Sequence, residues 1–148
     1  MAHFQFSLEK ILRWRAIEFT REEVKLQRLI QEKDRLEMML ARLKSERASL
    51  SVSVAALPGL QGGDLRAAAA YGLRLRREIE KLTAARARIQ DSLAVQQKKF
   101  AAAKLRLRLI EELKARRLER WRYEESRQLE NLAAESYLAG WNREQPLQ

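Results

Sequence analysis

Leu57-Pro58-Gly59-Leu60-Gln61-Gly62-Gly63-Asp64 decides the fold, because it is the one place where this chain concentrates residues that stop a helix. Proline lacks the amide hydrogen a helix needs, and the glycines free the backbone to reverse. Outside this stretch the only other proline is Pro146 and the only other glycines are Gly72 and Gly140. A sheet or barrel needs far more turns than that. The break therefore divides the chain into helix, turn and helix, with Asp64 placed to cap the second helix and to suit its dipole.

Working outward, the first helix has a start signal at Ser7, a plausible cap, with Phe6 outside and Ile11 inside as a hydrophobic staple. It is predicted over about 7–57, the turn over 58–64, the second helix over about 65–139, and a tail over 140–148, all in a single hairpin domain spanning 1–148. Stepping by four and three from Leu8 gives Leu12, Arg15, Phe19, Glu22, Leu26, Leu29, Lys33, Leu36, Leu40, Leu43, Arg47, Leu50, Val54 and Leu57. The second helix repeats the pattern from Leu65 through Gly72, Leu75, Leu82, Gln96, Phe100 and Ala103 to Ile110. Such a sustained seven-residue repeat calls for a coiled-coil seam.

With so short a turn the two stripes zip antiparallel. Facing residue numbers then add to near 122, which sets Phe19 by Ala103 and Leu8 by Lys114. At 1.5 Å per residue the helices would be about 80 and 110 Å long, so the C-terminal helix overhangs. The fold class predicted is all-α, two long helices in an antiparallel coiled-coil hairpin. A monomer is expected, a swapped or parallel dimer being the alternative. Ser49-Leu50-Ser51-Val52-Ser53-Val54 alternates with period two and has poor helix propensity, which predicts fraying, or a strand, there.

Composition narrows the function. Lys and Arg number 30 against 20 Asp and Glu, a net charge of +10, which favours acidic partners. The acidic excess is confined to the end: residues 123–148 hold 5 acidic and 2 basic side chains. The absence of cysteine removes disulfides and thiolate metal sites. His3 is the sole histidine, no phosphate-binding loop follows the glycines, and paired carboxylates such as Glu22-Glu23 and Glu111-Glu112 read as solvated charge. Neither an enzyme nor a cofactor is expected. The longest uncharged run, 48–63, is too short and polar to span a membrane, so the expected location is cytoplasmic. The polar seam residues read as register control. Trp14, Trp121, Tyr123, Tyr137 and Trp141 exceed what a two-helix seam covers, and either pack on the overhang or insert into a partner. Arginines around 106–122 are interleaved with glutamates, so no nucleic acid is expected as a partner.

The opening Phe4-x-Phe6-x-Leu8-Glu9-Lys10-Ile11-Leu12-x-x-Arg15, the central break, the Leu113 to Arg122 stretch and the late Tyr123, Arg127, Glu130, Leu132 and Ala133 resemble the flagellar export protein FliJ family. The resemblance implies a stalk-like component of the flagellar type III protein export apparatus. Such a stalk sits in the hexameric export ATPase FliI, reaches the export gate FlhA at the cytoplasmic face of the inner membrane, and meets export chaperones. It implies gate contacts at Tyr71, Leu75, Glu78 and Leu82. By analogy with rotary stalks it implies ATPase contacts at Trp14, Arg15, Arg116, Arg117, Arg120 and Trp121. A stalk of a virulence type III secretion system, or a basic adaptor for nucleic acid or acidic membrane, are the alternatives.

Overall fold

The computed structural model describes residues 2–56, 59 and 61–145. Two helices account for nearly all of them: α1, Glu9–Ala56, and α2, Gly62–Glu144. The chain divides into two compact units, one formed by Met1–Glu18 with Lys104–Gln148 and the other by Phe19–Ala103.

In the Phe19–Ala103 unit α1 and the first half of α2 form an antiparallel helical hairpin. Its partners run in opposite senses from the open end to the turn: Phe19 with Phe100, Glu22 with Gln96, Glu46 with Tyr71, and Leu50 with Gly72. The facing numbers match the expected register at Leu50 and Gly72. The other pairs fall short of it by three to five, with sums of 119 for Phe19 with Phe100, 118 for Glu22 with Gln96 and 117 for Glu46 with Tyr71, and the Phe19 and Phe100 rings lie 5.3 Å apart, tilted. Adjacent seam positions lie three or four residues apart and both face the partner, so one side chain meets more than one residue of the other helix.

The stripe that predicts the seam is the stripe that is shielded. Leu40, Leu75, Leu82, Gln96 and Ala103 are buried, and the intervening seam residues are half-buried. Arg47 and Leu65 are the exceptions, exposed near the turn where alanines and glycine fill less of the interface. Burying a leucine side chain contributes about 1.5–3 kcal/mol, so the seam, repeated every turn or two, outweighs the modest helix propensity of the serine and valine run. Accordingly 49–54 is helical, without the fraying or strand its alternation predicts.

At the turn the helix boundaries differ from the sequence reading. Gly59 has a φ of +96°, a left-handed conformation that glycine adopts without strain. Leu57, Pro58 and Leu60 lie outside the described residues. The Gln61 carbonyl accepts from the amides of Asp64 and Leu65 at 3.0 and 3.2 Å, so Gln61 opens α2 and Asp64 sits inside the first turn. Asp64 therefore does not cap, although its charge still suits the helix dipole.

In the other unit the start of α1 lies antiparallel to the later half of α2. Lys114 donates to Glu9 at 3.0 Å and Arg106 to Glu18 at 3.0 Å. The Leu8 carbonyl accepts from the Leu12 amide, which makes Leu8 rather than Ser7 the residue at the helix start. The Ser7 hydroxyl is instead engaged by Arg117 Nη1 at 2.9 Å, and Ile11 is exposed, so the proposed staple is absent. Preceding the helix, Phe6 is buried and Phe4 meets Trp121 with ring centroids 6.0 Å apart. From Ser126 to Gln145 every residue is exposed, which leaves the end of α2 as a projecting helix. It continues five residues past 139, through Gly140, because one exposed glycine costs a helix only about 1 kcal/mol.

Candidate functional site

The residues implied as ATPase contacts gather in the unit that contains the start of α1. Trp14 is exposed at 55%, with the Arg15 guanidinium 4.4 Å from its ring centroid. Arg15 is also half-committed to structure, since its Nη1 donates to Glu18 Oε2 at 2.9 Å. Glu18 accepts from Arg106 with its other oxygen and so ties the two helices together. The Arg15 hydrogen bond, followed by the charges of Arg15 and Arg106, holds the Glu18 carboxyl below its ordinary value.

Arg116, Arg117, Arg120 and Trp121 divide in the same way. Arg117 reaches back over the Phe6 ring at 5.6 Å and donates to Ser7, so it fastens the N-terminal residues to α2. Trp121 is half-buried under Phe4. Arg116 and Arg120 are exposed and make no hydrogen bond or ion pair among the described residues. The aromatics Tyr123, Tyr137 and Trp141 lie on the projecting part of α2 and are 68%, 74% and 50% exposed. What this end offers a partner is therefore two unpaired guanidiniums, an open indole at Trp14 and a helix with uncovered aromatic rings. Those are the groups that anchor interfaces most strongly.

The gate contacts lie in the hairpin unit. Leu75 and Leu82 are buried in the seam, while Tyr71 and Glu78 are exposed. The Tyr71 hydroxyl donates to Glu46 Oε2 at 3.2 Å, and the charge of that carboxylate raises the phenol pKa above its ordinary value. Beside Tyr71, where Ala68, Ala69 and Gly72 replace large seam residues, the helices leave a groove of about 550 Å³. Leu50, Val54 and Leu73 line it, and Arg47 and Arg76 flank it.

The sequence reading gave Phe4 no structural role and placed Phe6 only as half of a staple with Ile11, because both precede the periodic stretch. Their one signal is the aromatic doublet two residues apart, matched by Trp121 on α2. Among the described residues no three His, Cys, Asp or Glu side chains could hold a metal together, and no helix is long and apolar enough to cross a membrane.

The fold is that of an all-α protein, a hairpin of two long antiparallel helices. Comparison of the chain with family models, curated proteins and solved structures finds no match.

Proposed function

We propose that this chain is a stalk-like component of the flagellar type III protein export apparatus, binding the export ATPase FliI with one end and the export gate FlhA with the other, at the cytoplasmic face of the membrane. The reading draws on the family resemblance of the Phe4 to Arg15 opening. It is supported by antiparallel helix pairing with a projecting C-terminal helix, the architecture such a stalk needs. The single observation that carries it is the division of labour beside that helix. Arg117 is occupied in holding the N-terminal residues to α2, and Arg15 is bonded to Glu18, the carboxylate that Arg106 of α2 also engages, whereas Arg116 and Arg120 are left unpaired. In this reading Arg116, Arg120 and Trp14 enter the ATPase ring, and Tyr71 and Glu78 touch the gate over a seam held by Leu75 and Leu82. Export chaperones are met by the same exposed helix.

A pull-down with FliI and with the cytosolic part of FlhA tests this directly. Arg116→Glu with Arg120→Glu abolishes retention of the ATPase, spares retention of the gate, and leaves the circular dichroism helical. Unchanged ATPase binding by that variant overturns the assignment of the ring-binding end, and failure of the unaltered chain to retain either protein overturns the function.

A further inference from the structure

The seam accounts for one face of α1. The opposite face carries a second repeat that the hairpin does not use. Arg21, Arg28, Arg35 and Arg42 recur at strict seven-residue spacing, each exposed. Beside them at the same spacing run Val24, Gln31 and Met38, where Val24 is 40% and Met38 71% exposed. All of these lie within the Phe19–Ala103 hairpin unit.

Both columns are unusual for a solvated face. A residue pointing away from a two-helix seam gains nothing by being valine or methionine, so polar residues are expected there. Exposed cations on a helix are commonly answered by carboxylates one turn away, as Lys25 is by Glu22 and Arg108 by Glu112. None of the four arginines has an ion-pair partner among the described residues. The surface between the columns is also shaped: Gln31, Asp34, Arg35, Met38, Met39 and Arg42 line a shallow groove of about 390 Å³.

We infer that this face of α1 is a docking surface for a third helix, supplied by another protein and bearing carboxylates at seven-residue spacing beside an apolar stripe. The geometry selects that occupant over other acidic ones. Because α1 already pairs with α2 on a seven-residue repeat, a column at that spacing keeps its place on the outer face of the hairpin, as a further helix on the same repeat requires. Successive arginines are about 10.5 Å apart along the axis, the repeat of a facing heptad and wider than the spacing of phosphates along a strand. The narrow apolar strip made by Val24, Met38 and Met39 also suits a helix seam, whereas a helix lying in a bilayer surface needs a broad apolar face. Docked side by side, Val24 and Met38 are covered and each guanidinium meets a carboxylate, the bidentate pairing arginine makes best.

The inference uses none of the ring-binding residues, so its test is separate from that of the proposed function. The probe is a synthetic four-heptad peptide with isoleucine and leucine on its seam and glutamate at both flanking positions, which repels its own kind at neutral pH. The control has the same composition with the glutamates moved out of register. Calorimetric titration into the full chain gives saturable binding of the in-register peptide and at least about tenfold weaker binding of the control. Arg28→Gln with Arg35→Gln, a mild exposed pair, weakens the in-register peptide severalfold, and reversal of all four arginines to glutamate abolishes it while helicity is kept. Equal binding of both peptides, or no response to the arginine substitutions, overturns the inference. So does self-association of the chain through this face in sedimentation, or tight arginine-dependent binding to duplex DNA or to phosphatidylglycerol vesicles in place of the peptide.

Discussion

Gln96 is the buried polar residue of the seam, and its removal tests how register is set. Its side chain is 7% exposed, and its amide donates to the Glu22 backbone carbonyl at 3.2 Å and to the Glu22 carboxylate. The Glu22 side chain is itself only 17% exposed, and its remaining ion pair is Lys25 at 3.7 Å. Gln96→Ala thus leaves a shielded carboxylate with Lys25 alone, and Glu22→Ala leaves the buried amide with only the backbone carbonyl of residue 22. A hydrogen bond to a charged group is worth about 1.5–3 kcal/mol, so the two substitutions are expected to couple by about that amount. Urea unfolding followed by far-UV circular dichroism on the two single variants and the double variant measures the coupling. Replacing both residues by leucine removes the buried polar pair, so that variant should be more stable than the natural chain by about 1–4 kcal/mol. It should also lose a unique register, seen as a broadened distance distribution between spin labels placed across the helices. A coupling within about 0.5 kcal/mol of zero refutes the reasoning, since contacting residues that act independently are not a register lock.

Three further outcomes follow from the packing. Leu40 is 2% exposed, and Leu40→Ala should cost about 3 kcal/mol in urea unfolding through lost burial and the cavity left behind. A Cβ added at Gly72 meets Leu50 at 3.6 Å, ordinary contact, so Gly72→Ala should stabilise by about 0.5–1 kcal/mol through helix propensity; a loss of stability would show that the helices approach more closely there. Glu18 has its carboxyl held below the ordinary 4.5 by Arg15 and Arg106. A depressed folded value means that its contribution is present above about pH 4.5 and is lost as pH falls through the folded value. Glu18→Gln should therefore flatten the acid limb of the stability profile, and an unchanged limb contradicts the pairing.

The seam was legible because a seven-residue apolar repeat has one low-energy solution when a tight break joins two copies of it. Leu40, Leu75, Leu82 and Ala103 could be named as interior from spacing alone. Helix ends were less legible, since they depend on contacts distant in sequence. Ser7 has the chemistry of a cap, but Arg117, 110 residues on, takes its hydroxyl. Local rules also placed Asp64 one turn too late, because the glycines at 62 and 63 could be read as loop as easily as helix. Of the candidate site, spacing could not separate Arg116 and Arg120 from Arg117, whose occupation depends on where Phe6 packs. The arginine column at 21, 28, 35 and 42 was readable in principle, but a search for apolar periodicity passes over a charged repeat.

Cross-linking tests the antiparallel pairing most directly, and the absence of natural cysteine makes it clean. With Glu46→Cys and Tyr71→Cys in one chain, and Glu9→Cys and Lys114→Cys in another, a short bismaleimide, which spans the gap left by the two long side chains that a direct disulfide could not, should bridge the pair within each chain at high dilution, giving faster-migrating monomers on denaturing gels. Reaction only between chains, or no reaction at the positions that face each other here, would contradict the account.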